Sequence, residues 1–417
     1  MFLRGNKWTM TRRTRHISVW RVALLVALIG ALLYVNQVVV PATPPLFIST
    51  PTPTRSPESF VNQAQDFVRA GKLTQAVQAY EDAIYSDPTN PSNYIELARL
   101  QVFTGNYDGA VTNAQNALLR NPNNPLAHAV LGWAMCFQGK YGEAELEVKK
   151  ALSLDPSNAL AYAYYAEILA IQGDFGLYDK AAEASKKALT LDPTLLEAHR
   201  ARGIVLLNTQ NLNEAIQEFQ AAITINKNIA DLHLYLGVTY KSLGEYDKAE
   251  ESLLAAYALN PTDTIALTEL SRTFFADGRF AQAAQYAEEA IRVDPSDPRL
   301  HGNLGVVYYK MTEYNKAIEQ LVLAVRGGAT AEGVAVQGLP LDYGRVEEYY
   351  WYYGFALARN NRCGDAVPIF QALLTGVPND EIAVYNATEG LAVCQASITN
   401  PGATPVTPVN TEATPTP

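Results

Sequence analysis

Four histidines outside the N-terminal segment, His128, His199, His233 and His301, are the residues of this 417-residue chain best suited to acid–base or metal chemistry. A zinc site needs several such ligands, each about 2 Å from one ion. All four, however, fall at the fourth position of a 34-residue repeat. Side chains one repeat apart are separated by roughly a helix-packing distance, about 8–10 Å, so they cannot converge on one ion. Each is expected instead to pack as a small aromatic ring with a polar edge. No HExxH, G-x-S-x-G, Walker-type loop or dinucleotide Gly-rich fingerprint occurs. Asp and Glu are scattered among Lys and Arg, as on solvated helix faces. Asn386-Ala387-Thr388 fits a glycosylation acceptor, though one such triplet is expected by chance. No catalytic residue, cofactor or metal ligand is expected, and the chain reads as non-enzymatic.

The elements that carry these histidines repeat with the same period. Pro88, Pro122 and Pro156 are 34 residues apart. Ala83, Ala117 and Ala151 keep the step, and after a three-residue slip so do Ala188, Ala222, Ala256, Ala290 and Ala324. A second series comprises Ala76, Ala110, Ala144, Ala181, Ala215, Ala249, Ala283 and Ala317. A fixed period of this length indicates units that bury their apolar faces against their neighbours. Within one unit, Leu232, Leu236 and Tyr240 step at i, i+4, i+8 and predict a first helix, A. Gly244 breaks the period and predicts a turn. Ala249, Leu253 and Ala256 give a second helix, B, its buried stripe, and Asn260-Pro261 ends it because proline cannot donate the next helical hydrogen bond. Small side chains at facing positions let two helices approach closely.

The unit resembles the tetratricopeptide repeat (TPR). His233, Leu236, Gly237, Tyr240, Ala249, Leu253, Ala256 and Pro261 stand at positions 4, 7, 8, 11, 20, 24, 27 and 32 of that family's pattern. The resemblance implies an all-α solenoid, right-handed, of about nine helix-turn-helix repeats. They begin near Pro57, Pro91, Pro125, Ala159, Leu196, Ala230, Thr264, Pro298 and Glu347. A capping helix is expected from about Asp380 to Ser397. The domain therefore spans 57–397 and about four-fifths of the chain. Three departures stand out: three extra residues around Asp174-Phe175-Gly176, Lys227 in place of a proline, and an insertion at about 326–346. The stretch Gly333 to Leu341 in that insertion is expected either to pack structurally or to serve as an arm or strand for a partner.

Residues 1–55 hold seven basic residues and no acid. The remainder has 25 basic against 42 acidic residues, a net of −17, which disfavours nucleic acid as a partner. Val22 to Val40 is an apolar run broken only by Asn36-Gln37, and at about 1.5 Å per residue it approaches the thickness of a bilayer core. Six of the seven basic residues precede it. The positive-inside rule then places residues 1–21 in the cytoplasm, 22–40 as a signal-anchor helix and the repeats outside. A cleaved signal peptide is the alternative, but Val40-Pro41-Ala42 is a poor small-x-small site. No Cys lies near the run for lipid attachment. Residues 41–56 and 398–417 are rich in Pro and Thr; the first reads as an extended spacer and the second as a disordered tail.

In the family, helix A lines the concave groove mainly through positions 2, 5, 9, 12 and 13. Carried over, these hold Arg99 and Phe103 in repeat 2, Trp133 and Phe137 in repeat 3, Arg200 in repeat 5 and Lys241 in repeat 6. Repeat 7 adds Arg272 and Phe275, repeat 8 adds Arg299, Tyr309 and Lys310, and repeat 9 adds Trp351, Phe355 and Arg359. Such aromatics and cations suit an extended acidic or Pro-rich peptide, although each can equally pack inside the solenoid. The Lys–Asn pair with which some members clamp a terminal carboxylate is missing from every repeat. The resemblance also places Cys363, in the last A–B turn, beside Cys394, near the end of the capping helix, so a disulfide is expected; Cys136 is expected to be buried. The expected function is a membrane-anchored scaffold for protein partners outside the cytoplasm, similar to bacterial single-span members. A glycan- or peptidoglycan-associated module and an organelle import receptor with cytosolic repeats are the alternatives.

Overall fold

Asparagine and aspartate open the A helices. Asn90, Asn124, Asn158, Asp263 and Asp297 stand at N-caps, and their side chains accept backbone N–H groups of the first turn. Pro91, Pro125 and Pro298 follow at the first helical position, where no donor is needed. The computed structural model describes residues 18–39 and 56–399. The expected N-terminal segment before Ser18, the linker over 40–55 and the tail over 400–417 fall outside the described residues.

Among the described residues nine helix pairs follow one another. The A helices are Pro57–Arg69, Pro91–Phe103, Pro125–Phe137, Ala159–Ile171, Leu196–Asn208, Ala230–Ser242, Thr264–Ala276, Pro298–Lys310 and Arg345–Arg359. The B helices are Leu73–Ser86, Tyr107–Arg120, Tyr141–Leu154, Tyr178–Leu191, Leu212–Ile225, Tyr246–Leu259, Phe280–Val293, Tyr314–Arg326 and Cys363–Gly376. A capping helix, Glu381–Thr399, closes the array. Among the described residues, 56–399 belong to one compact unit and 18–39 to another. In the latter, Val19–Val38 is apolar, with mean hydropathy 2.0, and is long enough to cross a bilayer.

Both alanine series lie at the A–B contacts, where every member is at most 1% exposed. Close approach also requires Gly237: a Cβ there would stand 2.6 Å from Leu253 Cγ. The A–B turn needs a left-handed residue, supplied by glycine at 71, 105, 139, 173, 244 and 278. In the other three turns Gln210, Thr312 and Asn361 adopt the same conformation.

The histidines have one repeated role. His128, His199 and His301 each place Nε2 3.0 Å from the carbonyl of Pro122, Pro193 and Pro295, and Nδ1 on Glu147, Glu218 and Gln320 of the B helix. His233 bonds the Lys227 carbonyl, and Tyr94 donates to the Pro88 carbonyl. In these five repeats position 4 thus satisfies a carbonyl just past the end of the preceding B helix.

The breaks in the period are compact. Phe175–Leu177 forms one 3-10 turn, held by Asp174 accepting from the Gly176 amide. The insertion makes a two-rung antiparallel hairpin, Gly328–Ala329 with Ala335–Val336. It then returns to the B-helix ends: the Leu339 amide donates to the Ala324 carbonyl and the Leu339 carbonyl accepts from Tyr350. Leu339 and Leu341 join the hydrophobic core there. A disulfide joins Cys363 to Cys394, whose Cα atoms are 5.3 Å apart, and Cys136 is buried with its thiol pushed up to about 12.

Candidate functional site

The concave positions differ sharply between the two ends of the solenoid. In the N-terminal half the array winds back on itself. The Asn228 side chain, in the loop before repeat 6, donates to the Arg69 carbonyl at the end of the first A helix, 2.9 Å away. Phe103 packs beside Ala222, Ile229 and Leu232. The Arg99 guanidinium bonds Glu96, at 2.8 Å, and also Glu197 of repeat 5.

The expected groove residues of this half fill that closed interior. Trp133 is fully buried, stacked on Tyr164 at a ring separation of 4.3 Å and flanked edgewise by Phe103 and Phe137. Its indole N–H donates to Glu167. Arg200 is also buried, clamped by Glu167 and by Asp231 at 2.6 Å. Burial alone would lower its pKa, yet Asp231 and Glu167 hold the guanidinium well above its ordinary value. Burial pushes Glu167 up despite Arg200. Trp133 and Arg200 therefore present no surface to a partner, and Arg99, Phe103 and Phe137 are half-buried.

The C-terminal half is more open. Glu269 accepts from Lys241 and, at 2.8 Å, from Arg272. Burial would raise this carboxyl, but the two cations hold it below the usual range. Arg345 pairs with Glu348 at 2.9 Å, and Tyr349 donates to Asn303 at 2.9 Å. Lys310 lies 5.8 Å from the Tyr352 ring centre within electrostatic reach of Glu348; burial draws its ammonium below the usual lysine range. Tyr309 packs on Tyr352 and meets Arg359. Trp351 and Phe275 are half-buried and Arg299 is exposed. Phe355 departs from expectation: it is buried edge-on against Phe370 of the last B helix. Among the described residues no group of three or more His, Cys, Asp or Glu is placed to hold a metal ion.

The carboxylates that organise both halves, Glu167, Glu197, Asp231, Glu269 and Glu348, are not found by looking only for aromatics and cations. Their signal is nonetheless in the sequence: Glu197 and Asp231 stand at position 2 of their repeats and Glu167 at position 9. Lys227, the missing proline, lies between Asn226 and Asn228, and Asn228 makes the contact that closes the N-terminal half.

Family models described as "Tetratricopeptide repeat" match residues 67–136 and 274–331, residues 230–263, and residues 137–195 and 174–228. No curated protein matches the sequence. Among solved structures, the APC/C hetero-tetramer Cut9–Hcn1 is similar at a TM-score of 0.54 and 14% identity, over 89% of this chain and 82% of that one. A monomeric mutant of IFIT1 bound to m7Gppp-AAAA gives 0.55 and 15%, over 83% and 84%. The human IFIT1 dimer with PPP-AAAA gives 0.52 and 17%, over 79% of each chain. At these identities the likeness establishes the shared fold.

Proposed function

From the premise that the chain belongs to the tetratricopeptide repeat family, whose arrays are protein-interaction scaffolds, we propose that it is a membrane-anchored scaffold. It binds a protein partner outside the cytoplasm through the groove of repeats 6 to 9. The observation that carries this reading is the contrast between the halves: Trp133 and Arg200 are consumed by internal packing, whereas Arg272 and Arg345 keep 36% and 41% of their side chains exposed. The apolar Val19–Val38 helix supports the anchor, and basic residues before it support the orientation. The Cys363–Cys394 disulfide fits an oxidising compartment.

The test is photo-crosslinking in native membranes from a benzophenone side chain at position 351, with a second placed at Tyr85 on an exposed B-helix surface. A protein captured from position 351 and not from position 85 is the expected result. Capture from neither, or equally from both, overturns the groove assignment. Protease added to intact cells should cleave the repeats; their protection would refute the orientation.

A further inference from the structure

One outer face of the solenoid is basic, although the region that bears it has a net charge of −17. Lys149 and Lys150 stand immediately ahead of Ala151, and Lys186 and Lys187 immediately ahead of Ala188, at the same place in the B helices of repeats 3 and 4. No cation occupies either of the two positions ahead of the other six alanines in that series. All four lysines are exposed. Glu145 holds Lys149 at 2.7 Å and also feels Lys180 of the next repeat, so the two helices adjoin on this face. Lys150, Lys186 and Lys187 make no ion pair among the described residues, although Glu183 lies one turn before the last two. From Val148 to Leu154 and from Ala184 to Leu191 there is no acid at all. Asp155 and Asp192, which follow, are engaged by Ser157 and Thr194 in their turns. Large apolar side chains stand beside this charge. Leu146, one turn before Lys149 and Lys150, is 69% exposed. Phe175, in the three extra residues of repeat 4 at the head of the helix that carries Lys186 and Lys187, is 85% exposed.

Clustered lysines are drawn to anionic headgroups, and exposed Leu and Phe side chains beside them enter the boundary between headgroups and acyl chains. We propose that the outer B-helix face of repeats 3 and 4 docks on anionic lipid, with its lysines on the phosphates and Leu146 and Phe175 at that boundary. The proposal rests on the reading of Val19–Val38 as a membrane anchor. Eighteen residues separate Val38 from Pro57, a reach of at most about 65 Å, so an anchored chain keeps this face at high local concentration over the bilayer. That tether favours the bilayer over a soluble acidic partner, which must be met from solution. The acidic character of the remaining repeats sets the orientation: only this face is attracted, and the others are repelled by the same headgroups.

The experiment uses the full chain in nanodiscs of phosphatidylcholine, alone or mixed with phosphatidylglycerol, each doped with a headgroup-nitroxide lipid. A bimane is attached through an azide side chain at position 153, on the basic face, or at position 285, on the exposed face of the repeat 7 B helix. Quenching at position 153 in the mixed discs alone is expected, with none at position 285, and high salt should release it. Each lysine near an anionic surface is worth about fivefold in binding. Lys149→Gln/Lys150→Gln/Lys186→Gln/Lys187→Gln should therefore cut the docked-to-free ratio at least about a hundredfold. Leu146→Ser/Phe175→Ser should also reduce quenching, with the charge untouched. All six positions are exposed, and an unchanged melting temperature verifies that each variant is folded. Equal quenching in both kinds of disc, or quenching that survives in the four-lysine variant, overturns the proposal. If position 153 stays unquenched while labelled polyglutamate binds the parent and not the four-lysine variant, the face serves an acidic polypeptide and the lipid assignment falls. A chain that leaves the discs refutes the anchor and the tethered docking with it; one that stays while position 153 is unquenched refutes the docking alone.

Discussion

Arg200 and Glu167 form an ion pair in which 3% and 1% of the side chains remain exposed. They sit in consecutive A helices at the centre of the closed N-terminal half. The Trp133 indole also donates to Glu167, and Arg200 Nε donates to Asp231. Such a pair is costly to break, because removing one partner strands the other charge without water.

Arg200→Ala should therefore destabilise the solenoid by about 3–5 kcal/mol, read as a lower denaturant midpoint. The double variant Arg200→Met/Glu167→Met should recover part of that loss, since it removes the stranded Glu167 charge, while Asp231, whose side chain keeps 25% exposure, still loses its partner. If the single variant unfolds at the parent midpoint, the pair is not structural.

Thr312 is β-branched and adopts φ 61°, in the turn position that six other repeats give to glycine. The left-handed conformation costs a non-glycine residue roughly 1–2 kcal/mol, and glycine's extra unfolded-state entropy offsets about 0.5–1. Thr312→Gly should raise stability by about 0.5–1 kcal/mol, and Gly278→Ala should lower it. Thermal melts of both variants test the pair of signs.

Glu347 accepts from the Gly344 amide and lies against Asp380, which caps the final helix through the Ala383 amide. Burial, and then the Asp380 charge, push its carboxyl up to about 7. A carboxyl raised in the folded state binds more protons there than in the unfolded chain. Its stabilising effect is full below about 4.5 and is lost as pH rises through about 7. Glu347→Gln should match the parent at pH 4.5 and melt higher than it at pH 8. A constant difference across that range would refute the linkage.

The Cys363–Cys394 bridge closes a loop with a sequence separation of 31. Constraining the unfolded chain by a loop of this size contributes about 3–4 kcal/mol. Reductant should lower the melting temperature and raise amide exchange in Glu381–Thr399 before it does so in repeats 2 to 5. Uniform exchange would deny the bridge its role as a terminal staple.

The repeat architecture was legible because most units spell themselves out: alanines at the A–B contacts, a proline after helix B in all but the fifth and eighth, and a turn residue between the helices. The packing role of the histidines followed from their shared position, although their bond to the carbonyl six residues earlier did not. The closure of the N-terminal half was not legible. Arg99 meets Glu197 only because small rotations between four successive repeats add up. No single repeat encodes that sum. The same positions that read as a continuous ligand groove, Trp133 and Arg200 among them, therefore turned out to be interior. Phe355 was misplaced for a local reason: the last B helix presents Phe370 to it, and the two rings bury each other.

The Asn228–Arg69 contact spans 159 residues of sequence. Open solenoids exchange contacts only between neighbours, so they can unravel from an end one unit at a time. Repeats 1 to 6 have a clasp instead. Loss of the first repeat exposes the loop ahead of the sixth, so unravelling at one end is felt at the middle of the array. Forming that contact closes a long loop, an entropic cost that nearest-neighbour stacking does not carry.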